Sequence, residues 1–257
     1  MKHLFNLNNR FLEEIGGISA LTGRFFKEIV KPKQEYGEFL RQCYAVCYTS
    51  FPLVGITGFI MGLVMTLQSR PTLESFGAES LLPAMIAISL SREISPVITA
   101  LIIAGKVGSG MGAELGSMRV TEQIDAMEVS GNNPFKYLIV TRVMATTLML
   151  PVLVSLSNAI AMYGGYLGVT LHDHVSWNLY WDQVFTALSF GDVIPSLIKT
   201  LFFGFAIGTI SCYKGYNSKK GTEGVGKAAN SAVVISSIFV FIIDLLAVQI
   251  SDLLGLI

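Results

Sequence analysis

The stretch LLPAMIAISLSREISPVITALIIAG, residues 81–105, carries only two charged side chains, Arg92 and Glu93. A helix needs about 20 apolar residues to cross the hydrocarbon core of a bilayer, and this stretch therefore predicts a transmembrane helix. A charge inside the bilayer is costly, so we expect Arg92 and Glu93 to be functional residues that face a cavity. In the alternative they only pair with polar groups on neighbouring helices. Adjacent helix positions point about 100° apart, so the two are not expected to neutralise each other.

Four more stretches have a similar composition, and they are residues 46–68, 143–169, 193–213 and 231–250. The whole chain is 52% hydrophobic and 14% charged, with a mean hydropathy of +0.58, which is typical of a membrane protein. The fourth span contains Lys199, and the fifth contains Asp244, which either anchors helix packing or belongs to a translocation path. The net charge is zero and gives no reason to expect nucleic-acid binding.

Residues 1–33 have a different pattern, in which apolar positions from Leu4 to Ile29 recur at helical spacing between charged ones. This pattern predicts an amphipathic helix lying in the membrane interface, and a soluble amphipathic helix is the alternative. The segment Lys31-Pro32-Lys33 is predicted to end it. The fold class is therefore all-α: a polytopic membrane protein with an N-terminal interfacial helix and five transmembrane helices.

The distribution of Lys and Arg indicates the orientation. With the N-terminus in the cytoplasm, fifteen of the eighteen basic residues fall in cytoplasmic segments, and five spans place the C-terminus outside. The outer connection around residues 170–192 is rich in aromatic residues, and Trp177, Tyr180 and Trp181 are expected to form an interfacial belt. Glycine pairs four residues apart predict close helix packing. These pairs are Gly58 and Gly62, Gly164 and Gly168, and Gly204 and Gly208.

Charges return in a periodic pattern over residues 113–129. The pattern predicts a short amphipathic helix on the cytoplasmic side, bounded by a glycine-rich entry and by Asn132-Asn133-Pro134. Such a helix either docks on a partner or is a surface helix that touches nothing. The charged positions are Glu114, Arg119, Glu122, Asp125 and Glu128.

The segments SREISPV, GSGMGAELGSMR and TEQIDAME, between residues 91 and 128, followed by Pro134 and Arg142, resemble the signature of MlaE-type permeases. These are the membrane subunits of ABC transporters that work with MCE-domain proteins. The resemblance covers nearly the whole chain, including the stretch GTEGVGKAANSAVV.

The resemblance implies a homodimeric permease in the bacterial inner membrane that moves phospholipids or related lipids between inner and outer membranes. It implies a cytoplasmic ATPase dimer as partner, which binds ATP and Mg²⁺, and a ring of MCE domains on the periplasmic side. No cofactor is expected in this chain. Residues 113–129 correspond to the family's coupling helix. Positions of the lipid pocket or path are Met65, Thr72, Phe76, Arg92, Glu93 and Asp244.

Other classes of function fit less well. A secondary transporter or channel would use Arg92, Glu93 and Asp244 as an ion path, but no inverted repeat is evident. No motif of a catalytic nucleophile or zinc site occurs, so no catalytic residue and no metal site is predicted. His172 and His174 flank Asp173 without further ligands nearby. The stretch GTEGVGKA, residues 221–228, resembles a phosphate-binding loop, but Ala228 stands where that loop needs a hydroxyl.

Overall fold

The structure is a computed structural model. It describes the backbone of residues 2–30, 35–171, 175–219, 221–253 and 255, and the side chains of these ranges from residue 13 onward. Within those ranges no strand occurs, and five helices are long and apolar enough to cross a membrane. This confirms the predicted all-α, polytopic fold class. The helices are α1 (Lys2–Ile29), α2 (Tyr36–Ser75), α3 (Glu79–Val120), α4 (Gln123–Val129), α5 (Phe135–Thr170), α6 (Trp177–Ala187), α7 (Phe190–Tyr216) and α8 (Thr222–Leu253).

Each of the five long helices extends beyond its predicted apolar span. The apolar stretch decides where a helix can cross the bilayer, whereas the backbone hydrogen bonds continue until a residue interrupts them. The longest extension at a single end is in α3, which continues past its predicted span through the glycine-rich segment to Val120. The predicted helix over residues 113–129 is therefore two elements: its first part is the end of α3, and its second part is α4.

Three segments are wound as wider π-helical turns, at Leu90–Ile94 and Ala104–Gly108 in α3 and at the start of α5, Phe135–Val140. The first holds Arg92 and Glu93 and precedes Pro96, which cannot donate a backbone hydrogen bond. Wide turns of this kind often occur at functional sites. The stretch that places two adjacent charges in an apolar span is thus also one with irregular helix geometry.

The residues form two compact units. The first unit is Met1–Val46, Ala104–Thr146 and Gly204–Ile238. Its core is a cluster of buried apolar side chains that includes Leu21 and Phe25 of α1. One face of α1 therefore packs on protein, while Phe26 is exposed on another face. The predicted amphipathic helix thus buries part of its apolar side in the protein itself. The segment predicted to end this helix, residues 31–33, lies outside the described residues.

The second unit is Cys47–Ile103, Thr147–Phe203 and Phe239–Ile257. In this unit α6 packs through Tyr180 and Val184 against Leu82, Ile86 and other residues of a buried cluster. The Tyr180 hydroxyl donates a hydrogen bond to the Met162 carbonyl at 2.9 Å. Tyr180 is fully buried, so the prediction that it belongs to an interfacial belt is wrong, whereas the side chain of Trp177 is exposed.

Helices α2 and α5 approach each other closely in the second unit at the predicted glycine pairs. A Cβ atom on Gly62 would lie 1.8 Å from the carbonyl oxygen of Ala161, and one on Gly164 would lie 2.3 Å from that of Phe59. A Cβ atom on Gly58 or Gly168 would lie 2.8 Å from its nearest neighbour. Because lipid gives helices little hydrophobic reason to associate, this backbone contact is a main source of their packing energy.

We expect Gly62→Ala to destabilise the protein by about 2 kcal/mol, since the new methyl group meets a backbone carbonyl that cannot rotate away. The measurement is the melting temperature of the purified protein in mild detergent. Gly110→Ala is the control: nothing lies within 4 Å of a Cβ atom there, and alanine favours a helix over glycine by up to about 1 kcal/mol. Equal melting temperatures for the two variants would contradict the packing described here.

Candidate functional site

The Arg92 guanidinium, in the first π-helical turn of α3, forms an ion pair with the Asp192 carboxylate of α7. Asp192 is buried and also accepts hydrogen bonds from the backbone amide and the hydroxyl of Ser189, at 2.8 and 2.7 Å. These bonds hold the carboxylate at the first turn of α7. The Asp192 carboxylate, which Ser189 holds in place, thus fixes the position of Arg92.

Glu93, the residue after Arg92, pairs with a lysine of α7 and not with Arg92. The Lys199 ammonium of α7 lies 2.7 Å from a Glu93 carboxylate oxygen and 2.9 Å from an oxygen of Asp244 in α8. The Lys199 side chain is only 5% exposed, whereas Glu93 is 42% exposed. Lys199 therefore joins α3, α7 and α8 through one buried charge. This arrangement agrees with the expectation that Arg92 and Glu93 do not neutralise each other.

The five residues Arg92, Glu93, Asp192, Lys199 and Asp244 are called the charge cluster below. When all are ionised, three carboxylates face two cations, and one negative charge is in excess. All members of the cluster except Asp244 border a cavity of about 20 Å³ that also touches Pro195 and Ser196. That volume holds about one water molecule and no lipid.

The sequence predicted three members of the charge cluster and missed two. Arg92, Glu93 and Asp244 come together, but only through Asp192 and Lys199, which were not predicted as site residues. A signal was present: Asp192 and Lys199 are seven residues apart, which places two opposite charges on one face of a helix. Adjacent Arg92 and Glu93 on α3 present the complementary charges.

Of the predicted lipid path, Arg92 and Glu93 border this cavity, whereas Asp244 reaches the cluster only through Lys199. The other three residues lie apart from the charge cluster. Met65 is partly buried and packs against the core of the second unit. Thr72 lies exposed in the last turns of α2, and Phe76 follows the helix with 79% of its side chain exposed. Thr72 and Phe76 therefore lie on the surface at the end of α2, while Met65 contacts the core, and none of the three belongs to the charge cluster.

A second candidate site lies in the first unit, where α3 ends and α4 begins. The chain turns at Glu122, which has a left-handed backbone with φ of 58°. Ile124 of α4 is fully buried and Met127 packs on the same core, so α4 is held against the unit by its apolar side. Its other side is acidic and open to solvent. The exposed acidic residues are Glu122, immediately before α4, and Asp125 and Glu128 within it.

Two ion pairs flank this turn, and they differ in burial. Arg119 pairs with Asp125 at 2.5 Å, and both side chains are partly exposed. Glu114, near the end of α3, lies 2.9 Å from a guanidinium nitrogen of Arg142 in α5. The Arg142 side chain is only 2% exposed. Among the predicted coupling residues, Glu114 thus contacts a buried residue.

The loop-like stretch GTEGVGKA lacks the geometry of a phosphate-binding loop. Gly221 has a φ of 100° and makes a turn, and α8 begins at the next residue, Thr222. Gly224 and Gly226 are therefore helical, and the preceding element is α7, not a strand. Among the residues from 13 onward that are described, no three His, Cys, Asp or Glu side chains gather as a metal site. Asp173 and its two flanking histidines lie outside the described residues.

Lys199→Met is expected to destabilise the protein by about 3 kcal/mol, because it leaves Glu93 and Asp244 without their shared cation. The melting temperature in detergent is the measurement. The triple variant Lys199→Met, Glu93→Gln, Asp244→Asn removes all three charges and is expected to recover most of that loss. Lys227→Met is the control, since its pair with Glu223 is exposed and worth at most about 1 kcal/mol. A Lys199→Met protein as stable as this control would contradict the pairing.

The sequence is similar to known membrane transport proteins. The sequence profile described as Permease MlaE matches residues 39–250. A probable ABC transporter permease protein of Rickettsia prowazekii (strain Madrid E) is 40% identical over 241 residues, 93% of each chain. One of Rickettsia conorii (strain ATCC VR-613 / Malish 7) is 39% identical over 254 residues, 96% of this chain and 98% of the relative.

A plant protein is also similar: Protein TRIGALACTOSYLDIACYLGLYCEROL 1, chloroplastic, of Arabidopsis thaliana is 34% identical over 227 residues, which are 88% of this chain and 65% of the relative. The family profile covers most of this chain. The two bacterial relatives align with this chain over nearly their full length. The chain is a multi-pass membrane protein that belongs to the MlaE family of ABC transporter permeases.

Proposed function

We propose that this chain is the permease subunit of a transporter that moves phospholipids or related lipids between the inner and outer membranes, energised by a partner ATPase. The observation that carries the proposal is the match to the MlaE permease family over residues 39–250. Two long helices of the second unit also have apolar side chains that no described part of the protein covers. Ile56 and Ile60 of α2, and Phe241 and Leu245 of α8, lie four residues apart and are all exposed. The name of the plant relative, which contains that of a glycerolipid, supports the same substrate class.

The lipid chamber forms between two copies of the chain and opens toward the periplasm. Removing one methylene from water is worth about 0.8 kcal/mol, so an acyl chain leaves the membrane only for a continuous apolar path. The water-sized cavity at the charge cluster supports a chamber that a single chain does not complete. The end of α2, with Met65, Thr72 and Phe76, is its lining, and Arg92, Glu93 and Asp244 are its polar boundary.

The chain lies in the bacterial inner membrane with its N-terminus in the cytoplasm and its C-terminus in the periplasm. The excess of Lys and Arg in the segments assigned to the cytoplasm supports this orientation. A dimeric ATPase binds ATP and Mg²⁺ on the cytoplasmic side, and a ring of MCE domains receives or delivers the lipid in the periplasm.

The ATPase docks on the acidic side of α4, which is the coupling helix. The support is structural: α4 is anchored by buried Ile124, while Glu122, Asp125 and Glu128 are exposed. A rigid-body movement of the ATPase then moves α4 together with the core below it.

A second candidate is an ion-coupled transporter that uses the charge cluster as its path. Its support is the presence of five ionisable side chains within three membrane helices. The two candidates differ in their energy source, and reconstitution distinguishes them.

Asp125→Lys with Glu128→Lys is expected to reduce the ATPase recovered with the tagged permease about tenfold, because like charges now face a surface that complements acidic residues. The measurement is quantitative copurification from cells that express both subunits. Glu79→Lys, which reverses an exposed acid at the start of α3, is the control and keeps normal recovery. Normal recovery with the double variant would contradict docking on α4.

The transport step is tested with the complete complex in proteoliposomes that contain a fluorescent phospholipid. We expect lipid transfer that requires ATP and that falls about fivefold in Glu93→Gln. This variant leaves Lys199 paired with Asp244, so its melting temperature serves as a folding control. Unchanged transfer would make Glu93 structural only, and transfer driven by an imposed proton gradient without ATP would favour the ion-coupled candidate.

A further inference from the structure

Arg142 is a buried cation that the proposed function leaves unexplained. It lies in the first turn of α5 after the π-helical segment, with 2% of its side chain exposed. One guanidinium nitrogen donates to the Leu138 carbonyl at 2.9 Å, and another pairs with Glu114 at 2.9 Å. Its Nε has no hydrogen-bond partner among the described residues. Glu114 is therefore the carboxylate that compensates this buried charge.

The two members of this ion pair lie in different environments. Glu114 is 56% exposed, on the segment of α3 that leads to the turn at Glu122, whereas Arg142 lies within the core of the first unit. A buried charge that loses its partner destabilises a protein strongly. Any shift of Glu114 away from Arg142 is consequently opposed, so the two residues move together.

The helices around the pair are packed too tightly to absorb such a shift. A Cβ atom on Gly112 of α3 would lie 3.2 Å from Ala229 of α8, and one on Gly215 of α7 would lie 2.7 Å from Leu115. Leu115, next to Glu114, is fully buried in one cluster with Leu138 and Val143 of α5. The end of α3 thus cannot slide along α5 without breaking both apolar and ionic contacts.

We infer that the Glu114–Arg142 ion pair is the contact that transmits movement of α4 and the adjoining end of α3 into α5. This inference rests on the proposed function, because it assumes an ATPase that moves α4. Both are positioning residues: Glu114 acts through Arg142 and is not part of the docking surface. The exposed pair of Arg119 and Asp125, by contrast, shapes the surface on which the partner docks.

The test uses the full complex with its ATPase in proteoliposomes and compares three permeases: wild type, Glu114→Gln, and the double variant Glu114→Gln, Arg142→Met. The single variant leaves a buried charge unpaired and should lower the melting temperature. The double variant removes the charge at nearly constant volume, so its melting temperature and ATPase recovery should return to those of the wild type. Lipid transfer per ATP hydrolysed should nevertheless stay about tenfold lower.

Wild-type transfer per ATP in the stable double variant would overturn the inference, since the pair would then have only a structural role. Loss of ATPase recovery in that variant would also overturn it, because Glu114 would then belong to the docking surface. Glu223→Gln, which removes an exposed ion pair at the start of α8, is the matched control and keeps wild-type values. A wild-type complex without ATP-dependent transfer would contradict the proposed function itself, and the two failures are thus distinguishable.

Discussion

The pairing of charges inside apolar helices is the constraint on which this structure depends. An ammonium or guanidinium group that is removed from water must contact a carboxylate, and the positions of those carboxylates decide which helices are neighbours. Lys199 satisfies this requirement with Glu93 and Asp244, and so three helices of the second unit meet at one atom. Arg142 satisfies it with Glu114 in the first unit. The apolar residues make these segments membrane helices, but the charges specify their partners.

Close contact between helix backbones contributes packing energy that the hydrophobic effect cannot supply between helices in lipid. Gly62 and Gly164 bring α2 and α5 together at distances that exclude even a methyl group. Such contacts depend on shape and not on charge, and they fix the separation of two helices over several turns. The ion pairs then select the register of the neighbouring helices, because each joins one specific position to another.

The sequence predicts the long elements and their kind, since apolar length and small-residue spacing are local properties. It also predicts that Arg92, Glu93 and Asp244 are unusual, because each is a charge within an apolar span. The roles of Lys199 and Asp192 were missed because pairing is decided by the neighbouring helix, which no local pattern identifies. The break at Glu122 was missed for a related reason: Thr121 and Glu122 are not turn formers, and no local pattern marks the left-handed backbone that precedes buried Ile124. The resemblance to a family supplied the ATPase and the lipid, which periodicity and composition do not contain.

Two of the ion pairs that join helices, Lys199–Glu93 and Arg142–Glu114, share one asymmetry. Lys199 and Arg142 are buried, whereas Glu93 and Glu114 keep about half of their side chains in contact with the surroundings. The cation of each pair is the member that the protein encloses, so separating the pair leaves a buried charge without its partner, which is costly. The helix that carries the acid can therefore move in two ways. The acid and the cation move together, or a second carboxylate takes the place of the first beside the cation. Lys199 has a second carboxylate in Asp244, while no second carboxylate pairs with Arg142 among the described residues. The charge cluster of the second unit can therefore exchange partners, whereas the Glu114–Arg142 pair has to move as one body.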